Sequence, residues 1–383
     1  MNITLYDKNN IDELNCPDKN DNIGLQKYLE QFIKNGTLNL IDNVDAEMQI
    51  LMVNDDLFPI ILSNPNQKVK NSYVCSPVSH YIDYGKEEIE LELKDKPFLK
   101  NLSLGGIRAI ENFFKKLDFE KVVYVNNFLL STNLYVPFDI DYLKEIRDFL
   151  VKKFPDRPII FRSINDMYNK NIYDKLSSLG FHHVFSRQVY ILDPKKEVYK
   201  KKESYQKDLK IKRKTKYKWF TENDITPKDY KRIRELYDFL YIDKYSPLNP
   251  TFNEEFINQT INNPLFTYKV LKKDNEIYAV FGYIQRDGVI TAPVFGYDTA
   301  MPQKDGLYRL TALQILEDAL EKNYIVHMSS GVSKFKMHRG AEPSMEYNMV
   351  YVDHITKKQR LPWLALEKMT DNIIVPIMRK YQL

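Results

Sequence analysis

The sequence predicts an α/β protein built as a tandem repeat, and three observations carry that prediction. Stretches with strand and helix patterning alternate along the whole chain. Residues Gly288–Asp353 read as a complete unit: strand, glycine turn, helix, strand, short helical turn, closing strand. A similar order of elements occurs about 160 residues earlier, the spacing of an internal duplication. The expected architecture is two domains, residues 1–200 and 201–383, each with a mixed, mostly antiparallel central sheet flanked by helices.

Composition supports two compact domains. The chain has 383 residues, 43% hydrophobic and 28% charged, with 27 Tyr and 21 Phe but only 12 Gly. No apolar run approaches the roughly 18 residues that would span a membrane. The polar start has no signal-peptide core, so a cytoplasmic location is expected. Cys16 and Cys75 lie far apart, which argues against a disulfide framework or a zinc site, and no metal is expected. The net charge of +4 is unevenly placed. Residues 195–218 hold twelve Lys or Arg against three acids, and the remainder is net acidic. This basic segment, between the halves, is expected to be a solvated, partly helical connector or a phosphate or RNA contact.

The elements follow in order. Residues 1–20 read as a loose leader. Residues 23–35 form a helix stopped by Gly36, and residues 48–53 and 57–62 a hairpin. Residues 81–93 read as strand passing into loop. Ser103 is a good N-cap for a helix over 104–117. A valine-rich strand at 121–125, a helix at 141–154 and a strand at 158–163 come next. A helix at 171–179, ended by Gly180, and a strand at 184–192 complete the first half. The second half opens with helices at 230–241 and 253–262. A hairpin follows at 266–272 and 276–285, then a strand at 288–297. The helix at 306–322 carries Leu307, Leu310, Leu313, Ile315 and Leu316 toward the core. Strands at 324–329 and 346–352 flank a helical turn at 333–339. A final helix spans 361–381, with Trp363 packed on the sheet.

The turn Gln303, Lys304, Asp305, Gly306 gathers backbone N–H groups at a helix start, where the helix dipole favours an anion such as a pyrophosphate. These residues, with Leu307 and Tyr308, resemble the loop Gln/Arg-x-x-Gly-x-Gly/Ala with which the GNAT acyltransferases hold coenzyme A. Tyr308 stands where that family has a second small residue. The segment Phe335, Lys336, Arg339, Gly340, Ala341, Glu342 with Glu346 and Tyr347 resembles the Fem-type branch, which transfers amino acids from aminoacyl-tRNA. In the first half, Leu179-Gly180-Phe181 followed by Arg187-Gln188-Val189-Tyr190 is similar to the closing helix and strand of a GNAT unit. That half has Asn133 to Pro137 where a glycine loop would lie. It is therefore expected to have lost donor binding and to shape an acceptor cleft.

The resemblance implies tandem GNAT-like domains and transfer of an acyl group to an amine. The donor would be acetyl-coenzyme A, another acyl-coenzyme A or an acyl carrier protein. The alternatives are a Fem-like transferase using aminoacyl-tRNA, with carrier protein or tRNA meeting the basic segment, and a non-catalytic binding module. Acyl transfer needs an oxyanion contact and a proton path. The backbone from Phe295 to Asp298 is the place for the first. Lys336 falls where the Fem type has a lysine, so it is expected to stabilise charge, against a surface role. His338 could move a proton or sit on the surface. Asp298 is a general base or a loop cap, and Tyr297 ends the strand beside the donor. Arg339 could hold a carboxylate or phosphate, or pair with Glu342. Ser329, Ser330 and Tyr245 would contact substrate. Cys75 is not expected to act as a nucleophile.

Overall fold

The computed structural model describes residues 1–16, 22–87, 101, 111, 114, 116–376 and 378. The strands are β1 (Ile3–Tyr6), β2 (Glu47–Val53), β3 (Asp56–Ser63), β4 (Val122–Val125), β5 (Ile159–Asn165), β6 (His182–Leu192), β7 (Lys218–Thr221), β8 (Phe266–Lys273), β9 (Glu276–Arg286), β10 (Val289–Tyr297), β11 (Ile325–His327) and β12 (Glu342–Tyr351). The main helices are α1 (Leu25–Asn35), α2 (Tyr142–Lys153), α3 (Lys170–Ser178), α4 (Glu203–Lys214), α5 (Tyr230–Leu240), α6 (Glu254–Ile261), α7 (Leu307–Lys322), α8 (Ser333–Met337) and α9 (Lys357–Met369).

All the strands join one sheet in the order β1-β2-β3-β4-β5-β12-β6-β11-β10-β9-β8-β7. Read from either edge, each half has the same plan. Antiparallel strands lead to one parallel pair, β4 with β5 and β10 with β11, and then to a closing strand. The closing strands are exchanged. β12 closes the first half against β5, and β6 closes the second against β11. β6 and β12 then pair with each other at the middle of the sheet. Gly180 and Gly340 precede these two strands with φ of +85° and +93°. Only glycine enters that backbone region freely, so the sequence match between the halves reflects a shared turn.

Alternate residues of a strand face opposite sides, and the core divides accordingly. Tyr124 and Val280 belong to a cluster built with α1, α5, α6 and α9. Val125 packs with α2 and α3, and Phe281 with α7. Trp363 is fully buried, as expected, against Phe119 and Tyr81. No helix among the described residues is long and apolar enough to cross a membrane.

Several expectations need correction. Residues 3–6 are not a loose leader but an edge strand paired to β2, with Asn54 N–H donating to the Asn2 carbonyl. Residues 79–87 are helical, because Ser79 and Ile82 turn into the core; residues 88–93 lie outside the described residues. The helix expected at 104–117 falls largely outside them too. The basic segment is partly helical, as expected: its residues 203–214 form α4, of which Asp208 alone is fully buried.

A close backbone approach fixes α5 on β10. A Cβ built on Gly296 would stand 2.3 Å from the Leu236 carbonyl oxygen and 2.6 Å from Tyr237 N. Gly296→Ala is expected to push α5 off the sheet and cost about 1–3 kcal/mol, the usual range for overpacking. Denaturant unfolding measures this, and an unchanged midpoint would contradict the packing.

Candidate active site at the junction of the halves

β10 and β11 pair only at Val289 with Ile325 and Ile290 with Val326, and their registered pairing ends there. The remainder of β10, to Tyr297, keeps β9 as its partner. A splay between parallel strands is the expected place for an acyl donor. The irregularity in β10 lies between Thr291 and Val294, upstream of the stretch from Phe295 to Asp298. That later stretch stays in regular register with β9, and Asp298 N–H donates to the Tyr278 carbonyl.

Aromatic side chains line the splay. Tyr308, in the first turn of α7, packs edge-on against Phe295, Tyr297 and Phe335 at centroid separations of 5.2, 5.7 and 4.7 Å. This accounts for the large residue at that place in the glycine loop: Tyr308 is part of an aromatic wall. Burial, with Tyr245 and Tyr241 nearby, pushes its phenol well up. Tyr245 is partly exposed beside Tyr297, and its phenol is pushed up to about 12 by burial and then by Tyr297. Lys244 lies 6.0 Å from the Tyr297 ring centre.

Lys336, which follows Phe335 in α8, is buried. Its Nζ donates to the carbonyls of Ser330 at 2.7 Å and Ser329 at 3.2 Å, and lies 5.3 Å from the Tyr190 ring centre. The turn that aims those carbonyls is strained. Ser329 has φ +56° and Val332 φ +44°, a conformation that β-branched residues avoid. No carboxylate lies within ion-pairing distance of Lys336 among the described residues. Burial and then the Arg187 charge bring its pKa down to about 7.

The exchanged strands supply the adjoining charges. Arg187 of β6 and Glu346 of β12 face each other in register, with Nε to Oε1 at 2.7 Å. Arg187 also donates to Ser329 Oγ at 3.1 Å, Thr132 Oγ1 at 3.0 Å and the Ser131 carbonyl at 2.5 Å. Burial works against its charge, but Glu346 more than offsets this and holds its pKa up. His327 Nε2 lies 3.8 Å from Glu346. Burial brings His327 down to about 4. Arg162 of β5 is buried too, donating to the Val74 carbonyl at 2.9 Å. Neither arginine was singled out from the sequence as a site residue. The available signal was a cation inside a strand that is otherwise buried on both faces, as in IIFRSIN.

The Gly306 corner is covered by protein. A Cβ on Gly306 would stand 3.0 Å from Ile211 Cδ1 of α4. Tyr217 donates to Asp305 Oδ2 at 3.0 Å. Asp208, buried on the same helix, binds Arg309 at 2.5 Å and Arg339 at 2.7 Å. Leu307 is core, while Gln303 and Lys304 are exposed. Arg339 therefore anchors α4 and does not pair with Glu342, whose partner is Lys196. Asp298 is engaged by Arg232 at 2.6 Å and caps Ala300 N–H at 3.0 Å, a loop-capping role. The His338 side chain is exposed. The fold thus gathers Phe295, Tyr297, Tyr308, Ser329, Ser330 and Lys336, with Tyr245 at the rim, and leaves His338 and Asp298 out. The Cys75 thiol is buried and pushed well up.

In the first half a largely buried loop follows β4. The loop after β4 runs through buried Asn126 to Asn133, and Asn133 binds Ser163 Oγ from both its backbone and side-chain nitrogens.

FemX has a similar fold, with a TM-score of 0.52 over 84% of the chain and 90% of its own, at 9% identity. The chain has a tandem GNAT-like fold. At that identity the likeness concerns the fold alone. A tandem GNAT protein from the clavulanic acid biosynthesis pathway aligns over 91% of this chain and 98% of its own at TM-score 0.40 and 9% identity. The structure of L-PGS from Bacillus licheniformis aligns over 60% and 77% at TM-score 0.42 and 15% identity. No protein-family model and no curated protein sequence matches the chain. In this chain helix α4 lies over the glycine corner.

Asp208→Ala would leave the Arg339 charge buried without its partner. A loss of about 3 kcal/mol is expected, together with faster hydrogen exchange confined first to residues 203–214. Unchanged protection of that helix would show that other contacts hold it.

Proposed function

We propose that the chain transfers an acyl group to an amine in the splay between β10 and β11, with an aminoacyl ester of tRNA as donor. The observation that carries this reading is Lys336: a lysine without a carboxylate partner among the described residues, buried at the head of a splayed strand pair. The amine nitrogen attacks the donor carbonyl carbon, the new C–N bond forms, and the C–O bond to the ribose breaks. Negative charge collects on the carbonyl oxygen in between. An ammonium in a site screened from water is worth far more to that oxyanion than one in solvent. Near neutral pH Lys336 also holds or releases a proton easily, so it can pass the amine proton toward the leaving oxygen.

Two observations favour tRNA over coenzyme A. Ile211 and Tyr217 occupy the corner where a pyrophosphate would sit. The outward side of the same helix exposes Lys210, Arg213 and Lys214, with Lys216 just beyond it, a surface suited to a polyanion. The acyl-coenzyme A reading is the competitor, and it requires α4 to lift.

Lys336→Met keeps the bulk of the side chain and removes its charge. Turnover with charged tRNA is expected to fall by about 10²–10³-fold with donor binding retained; full turnover in the variant would remove Lys336 from the mechanism. Faster transfer from acyl-coenzyme A than from charged tRNA would reverse the choice of donor.

Stability carries a separate signature. The folded pKa of Lys336, about 7, lies below its ordinary 10.5. Between those values the unfolded chain binds the extra proton, so this group makes stability rise with pH. Below about 7 both states are protonated and the folded state bears the full cost of a buried charge. The stability of Lys336→Met relative to the parent should therefore be most favourable below pH 7 and decline toward pH 10. A difference independent of pH would show that Lys336 keeps its ordinary pKa.

A further inference from the structure

A cavity of about 40 Å³ opens between the halves, lined by Asn133, Ser163, Asn165, Tyr168 and His327 among others. About 10–15 Å³ of such space holds a water, so the cavity has room for roughly three, the bulk of one carboxylate or amide group. Tyr168, 37% exposed, stands at its mouth.

The hydrogen-bonding groups of its wall are one-sided. Asn165 is 2% exposed, and its Nδ2 is buried with no partner. The orientation of that amide is fixed, because its Oδ1 accepts from Met167 N–H at 2.9 Å and Tyr168 N–H at 3.2 Å. His327 Nδ1 accepts from Ser329 N–H at 3.2 Å, which places the ring proton on Nε2. Glu346 is 3.8 Å from that Nε2, too far for a hydrogen bond. Ser163 Oγ already accepts twice from Asn133, and its own hydrogen has no acceptor among the described residues. Asn133 Oδ1 is taken by Phe128 N–H. Three residues of the lining, Asn165, His327 and Ser163, thus each carry a donor without an acceptor among the described residues, while the side-chain acceptors of Asn133, Asn165 and His327 are already used by the protein.

We propose that this cavity is a carboxylate-binding subsite. A carboxylate brings lone pairs only and can satisfy all three donors, whereas an amide would turn its own NH₂ toward one of them. The surroundings tolerate its charge, since Glu346 is already neutralised by Arg187. The backbone of Ser329 links the cavity to the candidate centre: its N–H holds His327 and its carbonyl holds Lys336. The ligand is the carboxylate end of the molecule that presents the amine; this identity rests on the transferase reading, but the binding chemistry does not.

The test is a titration of the full chain, labelled with ¹⁵N-histidine, with acetate, propionate and acetamide. The two acids should shift the His327 ring signal and raise the unfolding temperature, and acetamide should do neither. Asn165→Asp keeps the oxygen that accepts from Met167 and Tyr168 while replacing the free donor with negative charge. It should weaken acetate binding about tenfold or more. Absence of any response to the acids, equal binding of acetamide, or full acetate affinity in Asn165→Asp would each overturn the assignment. Should Asn165→Asp fail to fold, the comparison of acetate with acetamide on the parent chain decides alone. A chain that binds the acids but transfers no acyl group keeps the subsite and loses the transferase reading.

Discussion

The pairing of Arg187 with Glu346 is the contact on which the centre of the molecule depends. A buried ion pair adds little net stability, because desolvation takes back most of the Coulomb attraction. Its effect is to fix geometry. Both residues lie on the exchanged strands, one from each half of the sequence, and they meet in register where β6 and β12 pair. The same guanidinium reaches Ser131 and Thr132 of the first half and Ser329 of the second. A slip of either strand by one residue would send a charge to the opposite face and strand it there. The register of the middle of the sheet is thereby specified by charge as well as by packing.

From that fixed point the site follows. Ser329 is held by Arg187, its backbone takes up a positive φ, and the next carbonyl is directed at Lys336. Arg187 also adds a positive charge near Lys336, the second cause of its depressed pKa. Burial first, and then the Arg187 charge, brings the lysine pKa down to about 7. Helix α4 encloses the neighbouring corner by the reverse means. There one buried acid, Asp208, draws two arginines inward and clamps a strongly basic helix onto the start of α7.

Much of the fold was legible in the sequence. The amphipathic helices α1, α2, α3, α5, α6 and α7, both hairpins, the apolar β10 and the glycine turns before β6 and β12 rest on local pattern, and these elements formed where the pattern placed them. The misses are instructive. β1 carries four residues without a strong alternation, and pairing with β2 alone makes it a strand. Helix α4 reads as a solvated run because eight of its twelve residues are charged or amide-bearing and only one is fully buried. Nothing local announces that Asp208 and Ile211 have partners about a hundred residues away. At the candidate site, Lys336 was reached by resemblance to a motif, and the two serines by their place at the end of a strand. Arg162 and Arg187 were not, because a charged residue inside a strand says nothing of its partner.

The sequence by itself determined the alternation of elements, the duplication and the turns that demand glycine, since each is encoded by neighbours a few residues apart. Tertiary structure decided which half each closing strand serves, what covers the Gly306 corner, and which lysine is deprived of water. Those outcomes depend on burial and on charges brought together from distant positions. Burial is a property of the packed whole, and local residue spacing carries no record of it.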